Sequence, residues 1–161
     1  MTAEQRVERI SRGVQEILER VEGLSGDVLY REPTPGEWPV MSTLAHLSEL
    51  LPYWAQQAED VARSPGMVFG RSLADAGRVG AIEQHGHDAL DVVVPRVRAA
   101  LEQCVATLRR IPAEAWTSSG QHIARGSMSV EQIVDTFLVN HVEEHAAQTE
   151  ASLRTLRASA T

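Results

Sequence analysis

The chain has 161 residues, of which 43% are apolar and 23% charged, and its formal net charge at neutral pH is −7. This length is enough for one core that buries of order 70% of the unfolded surface, so we expect a single domain over residues 1–161. The acidic balance and the scattered basic residues argue against nucleic acid or an anionic membrane as a partner, because such surfaces require clustered Lys and Arg.

The first predicted element is a helix from about Thr2 to Leu24. Its apolar residues recur on one helical face, and charged residues fill the other face. The apolar set is Val7, Ile10, Val14, Ile17, Leu18, Val21 and Leu24. Residues 25–38 include Gly26, Pro33, Pro35 and Gly36, which break helices and strands. We therefore expect an ordered connecting loop there.

A second helix is expected to begin near Trp38-Pro39, since proline is tolerated at the first helical position. Pro52 lies within the same pattern and is expected to kink the helix or interrupt one hydrogen bond. His46 also lies in this segment. The predicted buried stripe is Val40, Leu44, Leu47, Leu51, Trp54, Ala58 and Val61.

The signal weakens between Ser64 and Gly86, where glycines are dense and only a short helix over Ser72 to Gln84 is expected. Periodicity returns in a third long helix, with Pro95 near its first turns. Its apolar residues are Leu90, Val93, Val94, Val97, Leu101, Cys104, Val105, Leu108 and Ile111. A second loop is expected to run from Pro112 to about Gly126, and strand signals are almost absent.

Ser129 and Gln132 form a capping-box start for the last helix. Its inner face continues at a spacing of four with Ile133, Phe137, His141 and His145, followed by Leu153 and Leu156. Four long amphipathic helices bury their apolar stripes most simply as an all-α four-helix bundle. The first connection, of about fourteen residues, is long enough to recross the bundle, so a simple up-down-up-down topology is not required.

The pair His141 and His145 stands one turn apart on a single helix face, with Cβ atoms about 5–6 Å apart. Two such imidazoles can share one cation at roughly 2.0–2.1 Å per nitrogen, and His46 would be the third ligand. Three neutral nitrogens with an open fourth position are typical of a reactive metal site. The alternative for His46 taken alone is an ordinary core histidine with a hydrogen-bond partner.

The remaining histidines, His85, His87 and His122, lie in Gly-rich or Ser-rich stretches. We expect solvated surface roles for them, with His85 and His87 as a weak adventitious metal site at most. The single cysteine, Cys104, excludes an internal disulfide framework and fits a reducing compartment. It lies on an apolar stripe, so we expect a buried, inert thiol. With no signal-peptide pattern and no apolar run approaching 18 residues, we expect a cytoplasmic protein.

The residues around the histidine pair match one zinc-peptidase motif and not another. The H-E-x-x-H motif fails because Val142 follows His141. The inverted H-x-x-E-H order matches and would make Glu144 a general base. However, only sixteen residues follow His145, which leaves no downstream helix for the third, acidic ligand. We interpret the match as chance.

Two segments of the chain carry a recognisable pattern, GEWPVMSTLAHL at residues 36–47 and NHVEEHAAQ at residues 140–148. Together they resemble the DinB/YfiT-like superfamily. The shared features are a Trp-containing entry to the second helix, a histidine two turns inside it and a histidine-rich turn in the last helix. The resemblance extends over essentially the whole chain in helix order and length.

The resemblance implies a four-helix bundle with long crossover connections in up-up-down-down order, and often a homodimer. It also implies a divalent metal ion held by His46, His141 and His145. Zinc and nickel are the leading candidates, although three imidazoles also admit Co, Fe or Mn. Some relatives transfer low-molecular-weight thiols such as bacillithiol or mycothiol, or isomerise substrates with such a thiol.

The leading functional hypothesis is a transferase in which the metal activates a low-molecular-weight thiol for attack on a small electrophile. No residue is assigned as catalytic, while Glu49 and Glu144 are candidates for orienting ligand N–H groups. Trp54 and Tyr53 either line the pocket or belong to the core and its rim. The alternatives are a metal-dependent hydrolase of a small amide or ester, with Glu144 as base, and a noncatalytic metal-binding protein related to stress.

Overall fold

Four long helical segments dominate the structure, a computed structural model that describes residues 1–159. The helices are α1 (Ala3–Val21), α2 (Gly26–Tyr30), α3 (Val40–Arg63), α4 (Ala76–His85), α5 (Leu90–Arg110), α6 (Val130–Val134) and α7 (Asn140–Ala158). A 3-10 helix spans Ala113–Thr117, and a π-helical turn, Asp135–Val139, joins α6 to α7 into one continuous helix. The strands are β1 (Val68–Phe69), β2 (Ser119–His122) and β3 (Gly126–Ser129).

Side-chain caps fix where several of these helices begin. The predicted capping box of Ser129 and Gln132 is confirmed, with the serine side chain accepting from the Gln132 backbone N–H and the glutamine side chain from the Ser129 N–H. Thr2 and Gln5 form a second box at α1. Pro39 is the N-cap residue of α3, whereas the sequence pattern predicted it at the first helical position. The first helical residue is Val40. The helix continues through Pro52 to Arg63.

The apolar stripes pack together as predicted. Every apolar residue expected on the α3 face is buried, and one hydrophobic cluster joins residues of α1, α3, α5 and the α6–α7 segment. Helices α1 and α3 each contact both α5 and α7. The chain is therefore mostly helical, with its core between the long helices. No helix within residues 1–159 combines the length and the apolar character needed to cross a bilayer.

Three parts of the chain differ from the sequence prediction. The expected loop over residues 25–38 contains α2, and the short helix predicted from Ser72 begins at Ala76, where Asp75 caps two backbone N–H groups. The expected loop after Pro112 contains a β-hairpin. Strand β2 pairs antiparallel with β3 and parallel with β1, in the order β1-β2-β3. The strand Ser119–His122 lacks the alternation of apolar residues that would have revealed it.

Candidate metal centre

His46 lies on the buried face of α3, with 2% of its surface exposed. Its ring contacts the Trp38 ring edge to face, with 5.5 Å between centroids. The His46 Nδ1 atom is buried and has no hydrogen-bond partner. The side chain is therefore held by packing, while at least one of its nitrogens remains available as a ligand.

His141 and His145 lie in the first two turns of α7, just after the π-helical turn. Their ring centroids are 4.7 Å apart. The Nδ1 atom of His145 lies 3.0 Å from Oε1 of Gln148, whose carbonyl oxygen can only accept. This contact places the His145 proton on Nδ1, so that Nε2, which is buried and has no hydrogen-bond partner, carries a free lone pair.

The helices bring all three rings together. The His46 ring centroid lies 5.6 Å from that of His141 and 5.4 Å from that of His145. One nitrogen from each residue can be chosen so that all three lie within 4.8 Å of one another. Ligands bonded to one tetrahedral ion at about 2.0–2.1 Å lie roughly 3.4 Å apart. The three histidines therefore lie close enough together that they could hold one metal ion.

Burial keeps the three imidazoles neutral. Desolvation, followed by the charges of His145 and His141, lowers the pKa of His46 to about 3. Desolvation and then His145 lower the pKa of His141 to about 4. Desolvation also lowers the pKa of His145, against opposing contributions from Gln148 and Glu144. Neutral imidazole is the form that binds a metal ion, so the site offers its ligands in the required state.

Unsatisfied buried nitrogens at the triad also fit a metal ion, which would serve as their missing partner. Two buried nitrogens, one on His46 and one on His145, have no partner within the described chain. An unsatisfied buried polar atom typically costs about 1–3 kcal/mol. Three imidazole nitrogens form a donor set that suits zinc and other first-row divalent ions.

A cavity of about 580 Å³ adjoins the triad and is lined in part by His46 and His141. Trp54 and Phe137 form an aromatic wall, with parallel rings whose centroids are 3.8 Å apart. The π-helical turn supplies Phe137 to this wall, and Asn140 from the start of α7 also lines the cavity. A substrate bound here would contact both the histidines and an apolar surface.

The surface role expected for His122 is wrong. This residue is 8% exposed and stacks against Phe137 and Trp54, so it belongs to the cavity wall. Its Nδ1 accepts from the Ala124 N–H. Gly70 makes room for the ring, because a Cβ built there would lie 2.6 Å from two ring atoms. The burial depends on the unpredicted hairpin, which accounts for the error.

The other candidates are more peripheral. Glu144 is exposed but lines the cavity. Both carboxylate oxygens of Glu49 accept from Arg71, so a role of Glu49 toward a histidine N–H stays a prediction. Trp54 is a cavity residue, whereas Tyr53 packs beneath the Arg71 guanidinium at 3.8 Å.

Neither His85 nor His87 lies on the cavity lining. His85 Nδ1 lies 2.8 Å from an Asp88 carboxylate oxygen, and His87 is exposed. Sequence reasoning missed three arginines that do line the cavity, Arg71, Arg78 and Arg125. They come from segments without periodicity, and their only signal was charge within Gly-rich stretches.

The sequence of this chain matches a known protein family. The family profile of the DinB superfamily matches residues 9–149, a range that includes all three histidines. A search of curated proteins found no match. The family match extends over most of the sequence and agrees with the resemblance carried by the segments around His46 and His141. The chain belongs to the DinB superfamily.

Proposed function

We propose that His46, His141 and His145 bind a divalent metal ion and that the protein is a metal-dependent transferase of a low-molecular-weight thiol. The thiol would attack a small electrophile bound in the adjoining cavity. The observation that carries the proposal is the convergence of three neutral imidazoles, two of them buried and that of His141 partly exposed, with ligand nitrogens within 4.8 Å, beside a cavity of about 580 Å³.

His46, His141 and His145 would hold the ion, and when bound it would supply the positive charge that favours the thiolate form of a substrate thiol at neutral pH. Zinc and nickel are the proposed metals. Other residues of the chain orient the histidines, keep them neutral and line the cavity. Gln148 fixes the proton of His145 on Nδ1, and burial keeps the rings unprotonated. Trp54 and Phe137 offer an apolar surface against which an electrophile can pack.

The chain offers no reactive thiol of its own for this chemistry within its described residues. Cys104 is fully buried in the core, and desolvation raises its pKa to about 12. A thiol at such a site is protonated and inaccessible at neutral pH. This supports a mechanism in which the nucleophile is a separate small molecule.

We further propose one domain with up-up-down-down topology, a homodimer and a cytoplasmic location. Helices α1 and α3 share the neighbours α5 and α7, an arrangement in which the first two long helices occupy opposite corners of a bundle. The homodimer rests on the family resemblance. The single free cysteine supports a reducing compartment.

A second candidate function is metal-dependent hydrolysis of a small amide or ester. The observation that favours it is the position of Glu144, an exposed carboxylate on the lining of the same cavity. There it would take a proton from water during attack on a carbonyl group. A noncatalytic metal-binding role is the remaining alternative.

The experiment combines metal analysis with two activity assays. Untagged protein is analysed for bound metal, then incubated with monochlorobimane and a panel of cellular thiols, and separately with small esters. The transferase predicts thiol-dependent conjugation that is lost in His46→Ala and retained in His87→Ala, which changes an exposed histidine outside the cavity. Ester cleavage without thiol would favour the hydrolase. Metal binding without either reaction would favour the noncatalytic role, and metal content unaffected by His46→Ala would overturn the proposed site.

A further inference from the structure

The cavity beside the histidines carries an excess of positive charge. Its lining includes Arg71, Arg78 and Arg125 but only one acidic residue, Glu144. The whole chain has a net charge of −7, so the excess runs against the general charge of the protein. A local cluster of this kind favours anionic ligands.

Arg71 is already neutralised by the protein. It forms an ion pair with both oxygens of Glu49 and a longer contact of 3.3 Å with Asp75. Its guanidinium also packs on the Tyr53 ring. Arg71 is therefore a structural cation, and the charge available to a ligand comes from the other two arginines.

Arg78 has no carboxylate partner within residues 1–159. One of its N–H groups donates to the Leu73 carbonyl oxygen at 2.9 Å, and its guanidinium lies 5.3 Å from the centre of the Trp38 ring. The same Trp38 ring contacts His46. Since a guanidinium has five N–H donors, most of those on Arg78 are left for a ligand beside the triad.

Arg125 lies in the turn between β2 and β3 and also lines the cavity. Its guanidinium is 5.3 Å from the centre of the Phe137 ring. The structure gives it no acidic partner among the described residues. It is exposed and provides a second cation at the cavity.

A metal ion in the triad would add positive charge next to Arg78. Arg78 lines the same cavity as His46 and His141, and the Trp38 ring lies between its guanidinium and the His46 ring. An anion bound between two such cations attracts both and offsets their mutual repulsion. Arginine binds a carboxylate through two parallel hydrogen bonds, which suits this position.

We infer that Arg78, assisted by Arg125, binds the carboxylate of a small-molecule ligand in this cavity. The inference rests on the proposed function and narrows it, because the thiol or the electrophile then bears a carboxylate. The apolar part of that ligand would pack against Trp54 and Phe137. Arg78 is assigned as a specificity-determining residue for this ligand.

The test uses succinate and its uncharged analogue succinamide as probes. Trp38 and Trp54 lie at the site, so tryptophan fluorescence reports binding, and calorimetry checks the affinity. We expect the zinc-loaded protein to bind succinate at least tenfold more tightly than succinamide. Arg78→Gln should abolish the preference, Arg78→Lys should retain part of it, and Arg31→Gln, an exposed arginine outside the cavity lining, should leave it unchanged. Equal affinity for the two probes, or a preference unaffected by Arg78→Gln, would overturn the inference.

Further measurements show whether the thiol or the electrophile bears the carboxylate, and they distinguish failure of the carboxylate inference from failure of the proposed metal site. Mercaptosuccinate compared with 2-mercaptoethanol tests a carboxylate on the thiol, and fumarate compared with fumaramide tests one on the electrophile. An Arg78-dependent preference in either pair supports the inference, and its absence in both contradicts it. Zinc content is measured on the same samples. Zinc bound through the triad without a succinate preference refutes the inference alone, whereas zinc binding that survives His46→Ala refutes the metal site itself.

Discussion

The Nδ1 atom of His145 lies 3.0 Å from the Oε1 atom of Gln148, one turn further along the same helix. A partner of this kind orients a ligand ring and fixes its tautomer, and its loss typically reduces metal affinity about 10–100-fold. We expect that reduction in Gln148→Ala, measured by competition with a chromogenic zinc chelator. Gln15→Ala, at an exposed position on α1, serves as the control. Unchanged affinity in Gln148→Ala would mean that packing alone orients His145.

Metal binding should raise the thermal stability of the protein. A ligand that binds only the folded state at 100 times its dissociation constant adds about 2.7 kcal/mol. We expect zinc to raise the Tm of the wild-type protein and a chelator to reverse the increase, as measured by differential scanning calorimetry. His141→Gln should respond much less to zinc. An equal zinc-dependent rise in wild type and His141→Gln would contradict a role for this ring.

Helix α1 packs against α7 through Gly13. A Cβ at this position would lie 2.6 Å from Cγ1 of Val142. Overpacking typically costs about 1–3 kcal/mol, which exceeds the gain of up to about 1 kcal/mol from helix propensity. We therefore expect Gly13→Ala to lower the free energy of unfolding in urea denaturation.

Gly80 in α4 is the matched control for Gly13. A Cβ there would have its nearest neighbour, Nε2 of Gln84, at 3.9 Å. Gly80→Ala should accordingly raise the stability by about 0.5–1 kcal/mol. Stabilisation by both substitutions would contradict this prediction, because it would show that the Val142 side chain can move aside without lowering the free energy of unfolding.

Glu59 should make stability depend on acid pH. Its buried carboxylate accepts from Arg110, Arg63 and Gln56, and the hydrogen bond from Arg110 is the largest cause of its lowered pKa. Because the folded-state pKa is below the unfolded value, the stabilisation is present above the ordinary glutamate value of 4.5 and is lost as pH falls through the folded-state pKa.

Glu59→Gln tests this dependence. The substitution should destabilise the protein at pH 7 by about 1.5–3 kcal/mol, the range for hydrogen bonds to a charged group. The difference from wild type should shrink as the pH falls below 4.5, measured by urea unfolding at several pH values. A difference that stays constant across this range would exclude a contribution from the Glu59 charge.

Cys104 should be chemically silent in the folded protein. Burial raises its pKa to about 12, so almost no thiolate forms at pH 8. We expect reaction with Ellman's reagent only after denaturation, with a stoichiometry near one thiol per chain. Rapid reaction of the native protein would contradict the buried position.

The helical periodicity predicted the long helices and their buried faces, because burial of an amphipathic stripe dominates such segments. It also placed His46, His141 and His145 on faces that meet. The hairpin was missed, since the pairing of Ser119–His122 with β1 and β3 is nonlocal and leaves no alternating pattern. His122 and the cavity arginines Arg78 and Arg125 were missed for the same reason, because their surroundings arise from segments distant in sequence.

Ile133, Phe137, His141 and His145 follow one another at a spacing of four residues, which a regular α-helix does not keep on a single face. In a regular α-helix each step of four residues overshoots a full turn by about 40°. Such a run would drift around the helix, whereas the wider turn at Asp135–Val139 changes the phase between α6 and α7. Deleting one residue from that turn would rotate everything after it by about 100° relative to the Ser129 cap. The number of residues between the Ser129 cap and the histidine pair thus sets the direction in which both imidazoles point. An insertion or deletion there would misdirect both rings even if every side chain of the site were kept.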